Sequence, residues 1–404
     1  MREQSRICSP GRGRKRMAET WFTIHRSNLH QAFSCVMGAV EVRNTIPILS
    51  HVLLEPSAGS VLLRGSNLDM QIDAECEAIS VEQEIPFAIP ADKFKAILST
   101  LPESAEIAFG PGRSKDSIAI SAGQFRSTIP FLPAADFPLI TSKAPLEWTA
   151  IVGTPLSRAI DKAGYALPKT NDRPYLTGFC VHGERGGDGI VVAATDGLSL
   201  ARVAAATGAC PPLPAPRNSF PHVILPPRAA DSIRKLFDGA GQGCAIAVTD
   251  AQLAVKLGGV TITTKLIDGI YPEYERVIPP QGNQRIGMKT ERLSASIKRV
   301  CVMIDDAKRD ALFLRIRDGL VNVDLASLDG GAAHDAIDAD IEAPEGLEVS
   351  LNGLQVAKTL ASISSPEVDF YITPEKRIVV RPIGAPGETY VLSPMVPRFG
   401  ASAE

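Results

Sequence analysis

The side chains able to do chemistry in this 404-residue sequence are six histidines, seven cysteines and its carboxylates. Their spacing assigns none of them to a catalytic or metal centre. His25, His30, His51, His182, His222 and His334 show no metal-ligand spacing, and none pairs with a nucleophile motif. Cys8, Cys35, Cys76, Cys180, Cys210, Cys244 and Cys301 are odd in number and never form a C-x-x-C. That pattern argues against a disulfide framework and a zinc site, and for a reducing compartment. Gly110-Pro111-Gly112-Arg113-Ser114-Lys115 looks like a phosphate loop at first sight. It lacks the G-x-x-x-x-G-K-[ST] spacing and falls between two strand-like runs, so a hairpin turn is expected. Asp305 and Asp306 are adjacent, diverge around a helix, and read as a solvated helix end. No enzyme, cofactor or metal is expected, which leaves binding.

Charge narrows what is bound. A formal net charge of -3 and a pI near 6.1 exclude a globally basic nucleic-acid binder. Local clustering survives that test. Lys93, Lys95, Arg158, Lys162, Arg228, Arg234, Lys235, Arg292, Lys298, Arg299 and Lys358 all fall on helix-like segments, whose own acids are mainly Asp92, Asp161, Asp231 and Glu291. With sheets as an outer layer and helices as an inner one, a near-neutral chain would turn a cationic concave face to a phosphate backbone. Such contacts neutralise phosphates without reading bases, so they would be independent of DNA sequence and weakened by salt.

The elements that would position these cations recur. A length of 404 residues with 45% hydrophobic and 22% charged residues suits two to four globular domains, and one pattern of helix, strands, helix, strands appears three times with a period of roughly 130 residues. The first helices carry apolar stripes: Leu29, Phe33, Val36, Met37 and Val40 behind Ser27 as N-cap; Leu156, Ile160 and Ala163 behind Thr154-Pro155; and Leu293, Ile297, Val300 and Ile304 from Thr290. The second helices place Phe94, Ile97 and Leu98 after Pro90-Ala91-Asp92, Ile233, Leu236 and Phe237 after Pro226-Pro227, and Leu354, Ala357 and Leu360 after Asn352. Between them, strand-like runs are joined by Ser57-Ala58-Gly59, Gly186-Gly187-Asp188-Gly189 and Asp318-Gly319, which supply the positive φ that tight antiparallel hairpins require. An α+β fold follows, with a basic extension at 1–20 and domains at 21–145, 146–281 and 282–404. The extension is either a start-site artefact before Met17 or a disordered phosphate-binding arm. No apolar run reaches the roughly 18–20 residues of a membrane helix, and a cytoplasmic protein is expected.

Four segments then carry a resemblance: Arg43-Asn44-Thr45-Ile46-Pro47-Ile48-Leu49, Leu132-Pro133-Ala134-Ala135-Asp136-Phe137-Pro138, Ala194-Thr195-Asp196-Gly197, and the run from Tyr271-Pro272-Glu273-Tyr274 to Pro279. Together, in this order, they resemble the bacterial sliding clamp family, the beta subunit of DNA polymerase III, over residues 21 to 397. The resemblance implies three clamp domains per chain, sheets outside and two helices per domain inside, in a head-to-tail homodimeric ring around double-stranded DNA. It implies tethering of the replicative polymerase, the clamp loader and other clamp-binding proteins, with no membrane partner. By the family pattern, a peptide pocket would be lined by Arg173, Leu176, Thr195, Gly197, Leu200, Pro272, Arg276, Val277, Val391, Pro394 and Met395. DNA would meet Arg43, the 169–175 loop with Lys169 and Tyr175, and Arg228. The dimer contact would use Phe125 and Ile129.

Two departures bear on the pocket. Leu198-Ser199 stands where the family usually shows His-Arg, and Ser393 where it usually shows methionine. The chain also runs past Met395 to Glu404. They raise the alternative of a plasmid, phage or inhibitor-resistance paralogue with altered partner preference.

Overall fold

The structure is a computed structural model and describes residues 19–396 apart from 42, 143–144, 171–172, 217–218, 280–283, 303–310 and 327–330. Most of the expected basic extension, Ile304, the Asp305-Asp306 pair and the tail beyond Val396 lie outside the described residues. The chain divides into two compact units, Met1–Leu139 and Ile140–Glu404.

The first unit holds helices α1 (Arg26–Val36) and α2 (Ala91–Thr100) with two antiparallel sheets. One sheet runs in the order Ser80–Val81, Phe22–His25, Glu106–Pro111, Ser117–Ala122, Phe125–Pro130. The other contains Leu132–Pro133, Phe87–Pro90, His51–Ser57, Ser60–Ser66 and Met70–Glu77, in that order. Apolar side chains at helical spacing point Phe33 and Phe94 inward, where their rings meet edge to face at 5.2 Å. Phe22 stacks on Phe109 at 4.5 Å, which ties the first strand to the same core. The segment once comparable to a phosphate loop is a hairpin connection: Gly110 and Pro111 end one strand, and Gly112 N–H donates to Ser117 O at 2.9 Å.

The second unit repeats the helix, strands, helix, strands order twice, with α3 (Gly153–Ala163), α4 (Pro227–Phe237), α5 (Thr290–Cys301) and α6 (Gly353–Ser362). A nine-stranded antiparallel sheet runs His222–Leu225, Phe179–Gly183, Ile190–Thr195, Ser199–Ala205, Glu388–Leu392, Ile378–Pro382, Glu367–Ile372, Gln284–Lys289, Asp340–Glu342. Its middle joins the two halves of the unit, with Leu200 opposite Val391 and Val203 opposite Glu388. Ile190–Thr195 is apolar on both faces because both are covered. Two further sheets are Val260–Lys265, Gln252–Leu257, Cys244–Val248, Thr149–Ile151 and Ala332–Ile337, Leu320–Ala326, Ala311–Arg317, Glu348–Asn352. The expected positive φ appears at Gly59, Gly186, Asp318 and Gly319.

Several local expectations need correction. Ser27 lies inside α1 rather than at its cap: the helix starts at Arg26 behind His25, and Met37 and Val40 follow its end. Thr154 also lies inside its helix, behind Val152, and its hydroxyl donates to Ala240 O at 2.7 Å, tying α3 to the end of α4. In α6 the buried stripe is Gly353, Val356, Thr359 and Leu360, so Leu354 and Ala357 sit one step off the core face. Asn352 does cap α6, accepting from Gln355 N–H at 3.1 Å.

The cations expected along the helices are partly spoken for. Lys162 pairs with Glu388, both largely buried at 16% and 12% side-chain exposure, and Tyr390 donates its hydroxyl to the same carboxylate at 2.9 Å. Lys162 is therefore a joint residue of the two halves and not a phosphate contact. Arg234 is shared by Asp231 and Asp161, Lys235 pairs with Asp231, Arg292 with Asp338 and Arg299 with Asp335. Glu388→Leu should strand the ammonium and lower unfolding stability by about 3 kcal/mol in urea titrations, and adding Lys162→Met should recover most of that loss.

Candidate ligand-binding site

The joint strands place a turn and a C-terminal segment side by side. In the turn, Asp196 Oδ1 accepts from Leu198 N–H at 2.9 Å and Ser199 N–H at 2.7 Å, and Thr195 Oγ1 donates to Ser199 O at 2.7 Å. The tight return needs the left-handed backbone of Gly197, at φ +87°. Leu198 is thereby held at the tip, 59% exposed. Its carbonyl accepts Ser393 N–H at 2.8 Å, and Met395 N–H donates to Ser350 O at 2.8 Å. From α6, Gln355 Nε2 donates to Asp196 Oδ2 at 2.6 Å, locking the turn to the other half of the unit.

A cavity of about 350 Å³ opens between these pieces, lined by Leu198, Leu351, Asn352, Gln355, Val356, Leu392, Ser393, Pro394, Met395 and Val396. Its walls are mainly apolar with a few amides and carbonyls, which suits apolar side chains on a short peptide. Of the expected pocket residues, Pro394 and Met395 line this cavity. Leu176, Leu200 and Val391 lie beneath the surface in one buried cluster with Cys180, Tyr271 and Tyr274. They do not line this cavity and offer little surface. Pro272, Arg276, Val277 and Arg173 are exposed, because the neighbouring Tyr271 and Tyr274 are the buried anchors of that segment. Arg276 pairs with Glu273 at 2.6 Å and borders a second cavity of about 640 Å³ with His182, Arg185 and Phe220. Gln355, Val356 and Leu351 carry no motif signal; in the sequence Asn352 stands out only as the residue before a helix.

The remaining expected residues are dispersed. Arg43 is exposed in the segment after α1, Lys169 is exposed beside residues outside the described set, Tyr175 is half-buried against the cluster, and Arg228 is exposed near the start of α4. Phe125 is 37% exposed at one end of its strand, whereas Ile129 is 5% exposed and packed into its own unit.

Two family models match, the N-terminal domain of the DNA polymerase III beta subunit over residues 20–141 and its central domain over 150–273. The beta sliding clamp of Caulobacter vibrioides is 30% identical over 380 residues, covering 92% of this chain and 99% of that protein. This chain belongs to the beta sliding clamp family. The Escherichia coli K12 beta sliding clamp is 25% identical over 378 residues, covering 93% and 99%. Among solved structures, the Caulobacter crescentus clamp superimposes with a TM-score of 0.83 at 28% identity. A Pseudomonas aeruginosa clamp bound to griselimycin gives 0.84 at 25%; both comparisons cover 93% of this chain and 99% of the other. The α+β clamp fold is thereby shared along nearly the whole chain, and the clamp's function is that of a DNA sliding clamp, a processivity factor in DNA replication.

The burial split has a measurable consequence for this clamp. Leu200→Ala should cost about 2–5 kcal/mol in chemical denaturation, because it opens a cavity in the buried cluster. The partly exposed Met395→Ala should cost under about 1 kcal/mol.

Proposed function

We propose that two copies of this clamp close head to tail into a ring around duplex DNA, and that the face around Leu198, Pro394 and Met395 tethers the replicative polymerase, the clamp loader and other clamp-binding proteins. The observation that carries the tethering is the apolar cavity at the joint, framed by the turn that Asp196 and Gly197 build. Griselimycin, bound by the Pseudomonas aeruginosa and Bartonella birtlesii clamps, is the ready probe for it. Arg173, Thr195, Gly197, Pro272, Arg276 and Val277 form the rim in this reading, while Leu176, Leu200 and Val391 act as support.

Ring closure is supported by two strands that end their sheets among the described residues, Phe125–Pro130 in the first unit and Ala332–Ile337 in the second. Edge strands leave backbone donors and acceptors unpaired, and pairing one copy's edge with the other's is a heterologous contact of the kind a ring requires. Phe125 supplies exposed apolar surface there, and Ile129 supports it from within. The chain works by binding and not by catalysis, in the cytoplasm, and DNA is held without reading its sequence through Arg43, Lys169, Tyr175, Arg228 and the exposed helix cations. The domain division at 21–145, 146–281 and 282–404 belongs to the same reading.

Two experiments test it. Arg173→Ala with Met395→Ala should abolish griselimycin binding in calorimetry while the protein stays a dimer, and unchanged affinity would refute the pocket assignment. Arg43→Glu should weaken DNA binding and reduce the salt slope by about one. An unaltered slope in a low-salt titration would remove Arg43 from the DNA-facing set.

A further inference from the structure

Two buried histidines sit directly behind the rim segment 271–277, and the function above uses neither. His222 is fully buried and His182 is 4% exposed. His222 Nε2 accepts the backbone N–H of Tyr271 at 2.9 Å, so its proton resides on Nδ1, which donates to Phe220 O at 2.7 Å. His182 repeats the arrangement: Nδ1 donates to Gly183 O at 2.7 Å and Nε2 accepts the Tyr274 hydroxyl at 2.6 Å. Phe220 connects the two rings, stacked on His222 at 4.4 Å and edge-on to His182 at 5.6 Å.

We propose that His222, backed by His182, is a positioning residue of the ligand face: its neutral ring holds the 271–277 segment, and its protonation releases it. A second proton on His222 would set N–H against the Tyr271 N–H and leave a buried backbone donor without an acceptor. His182 tolerates a proton better, since the Tyr274 hydroxyl can turn and accept, but the two charged rings would repel. Among the described residues, Glu275 and Arg202 face His182, Arg185 engages Glu275 at 3.1 Å, and Glu184, Glu273 and Arg276 line the cavity that His182 and Phe220 border.

Burial holds both imidazoles below their ordinary value of 6.5, with the backbone acceptors offsetting only part of that effect. Below pH 6.5 the unfolded or released segment therefore binds more protons than the anchored one. Anchoring is complete above that pH and is lost as pH falls toward the depressed values.

The inference rests on the ligand-site reading given above, and the test separates the two. Griselimycin affinity is measured by calorimetry at pH 7.5 and pH 5.5 for the full chain and for His222→Gln, whose amide oxygen can replace Nε2 as acceptor without titrating. Amide exchange over 271–277 is followed in parallel. The wild type should lose roughly threefold or more in affinity at the lower pH with faster exchange over the segment, and the ratio for His222→Gln should be flat. Equal losses in both proteins, or none in either, would overturn the positioning role while leaving the site intact. No griselimycin binding at pH 7.5 would sink the site itself, and the proposal with it. If His222→Gln does not fold, the ring nitrogen signals of wild-type His222 decide: a neutral Nδ1–H tautomer whose protonation midpoint tracks the segment's exchange supports the role, and a ring already charged at pH 7.5 contradicts it.

Discussion

The ladder between Ser199–Ala205 and Glu388–Leu392 is the constraint on which the second unit depends. It makes one sheet of strands that begin and end almost 200 residues apart in the chain, and its register leaves no slack. Side chains alternate across a sheet, so a slip of one residue between these strands would turn Leu200 and Val391 to opposite faces and break up their common cluster. The same register brings the Leu198 carbonyl to Ser393 N–H and carries Pro394 and Met395 to α6. The Lys162–Glu388 pair closes the joint from the helix side. A ligand at this face thus meets a surface shaped by both halves of the unit, and anything that loosens the ladder loosens the site.

Electrostatics sets a different limit. The helices do carry the clustered cations, but much of that charge is met by carboxylates: Asp231 and Asp161 hold Arg234, while Asp335 and Asp338 hold Arg299 and Arg292. Exposed pairs of this kind are worth little to stability but reduce the net potential a phosphate would feel. With a net charge of -3, strong direct affinity for DNA is not expected. A closed ring needs none, since a molecule threaded on its partner stays by topology and slides because its contacts are weak.

Much of the fold was legible because helical periodicity, antiparallel hairpins with positive-φ turns and a threefold recurrence are local signals, as Phe33, Ile160 and Gly319 illustrate. Caps were misplaced by a few residues where a hydroxyl had a better use elsewhere; Thr154 serves Ala240 O and not its own helix. The site was less legible. Motif resemblance pointed alike to Pro394 and Met395, which line the cavity, and to Leu176 and Leu200, which do not, because their burial is decided by Tyr271 and Tyr274 across the fold. Gln355 escaped because its role comes from a bond to Asp196, 159 positions away. Lys162 was misjudged for the same reason, its partner being a distant strand residue.

Among the sheet edges of the described residues are Phe125–Pro130 and Ala332–Ile337, and a protein that must not aggregate has to cover or pair such edges. In the proposed ring, mutual pairing between copies would satisfy both of these edges at once and return the chain to its starting point. Sedimentation equilibrium on the purified protein at micromolar concentration tests this most directly. The expected result is a single species of twice the 43.0 kDa chain mass, and a mass of one chain persisting at all concentrations would contradict the ring.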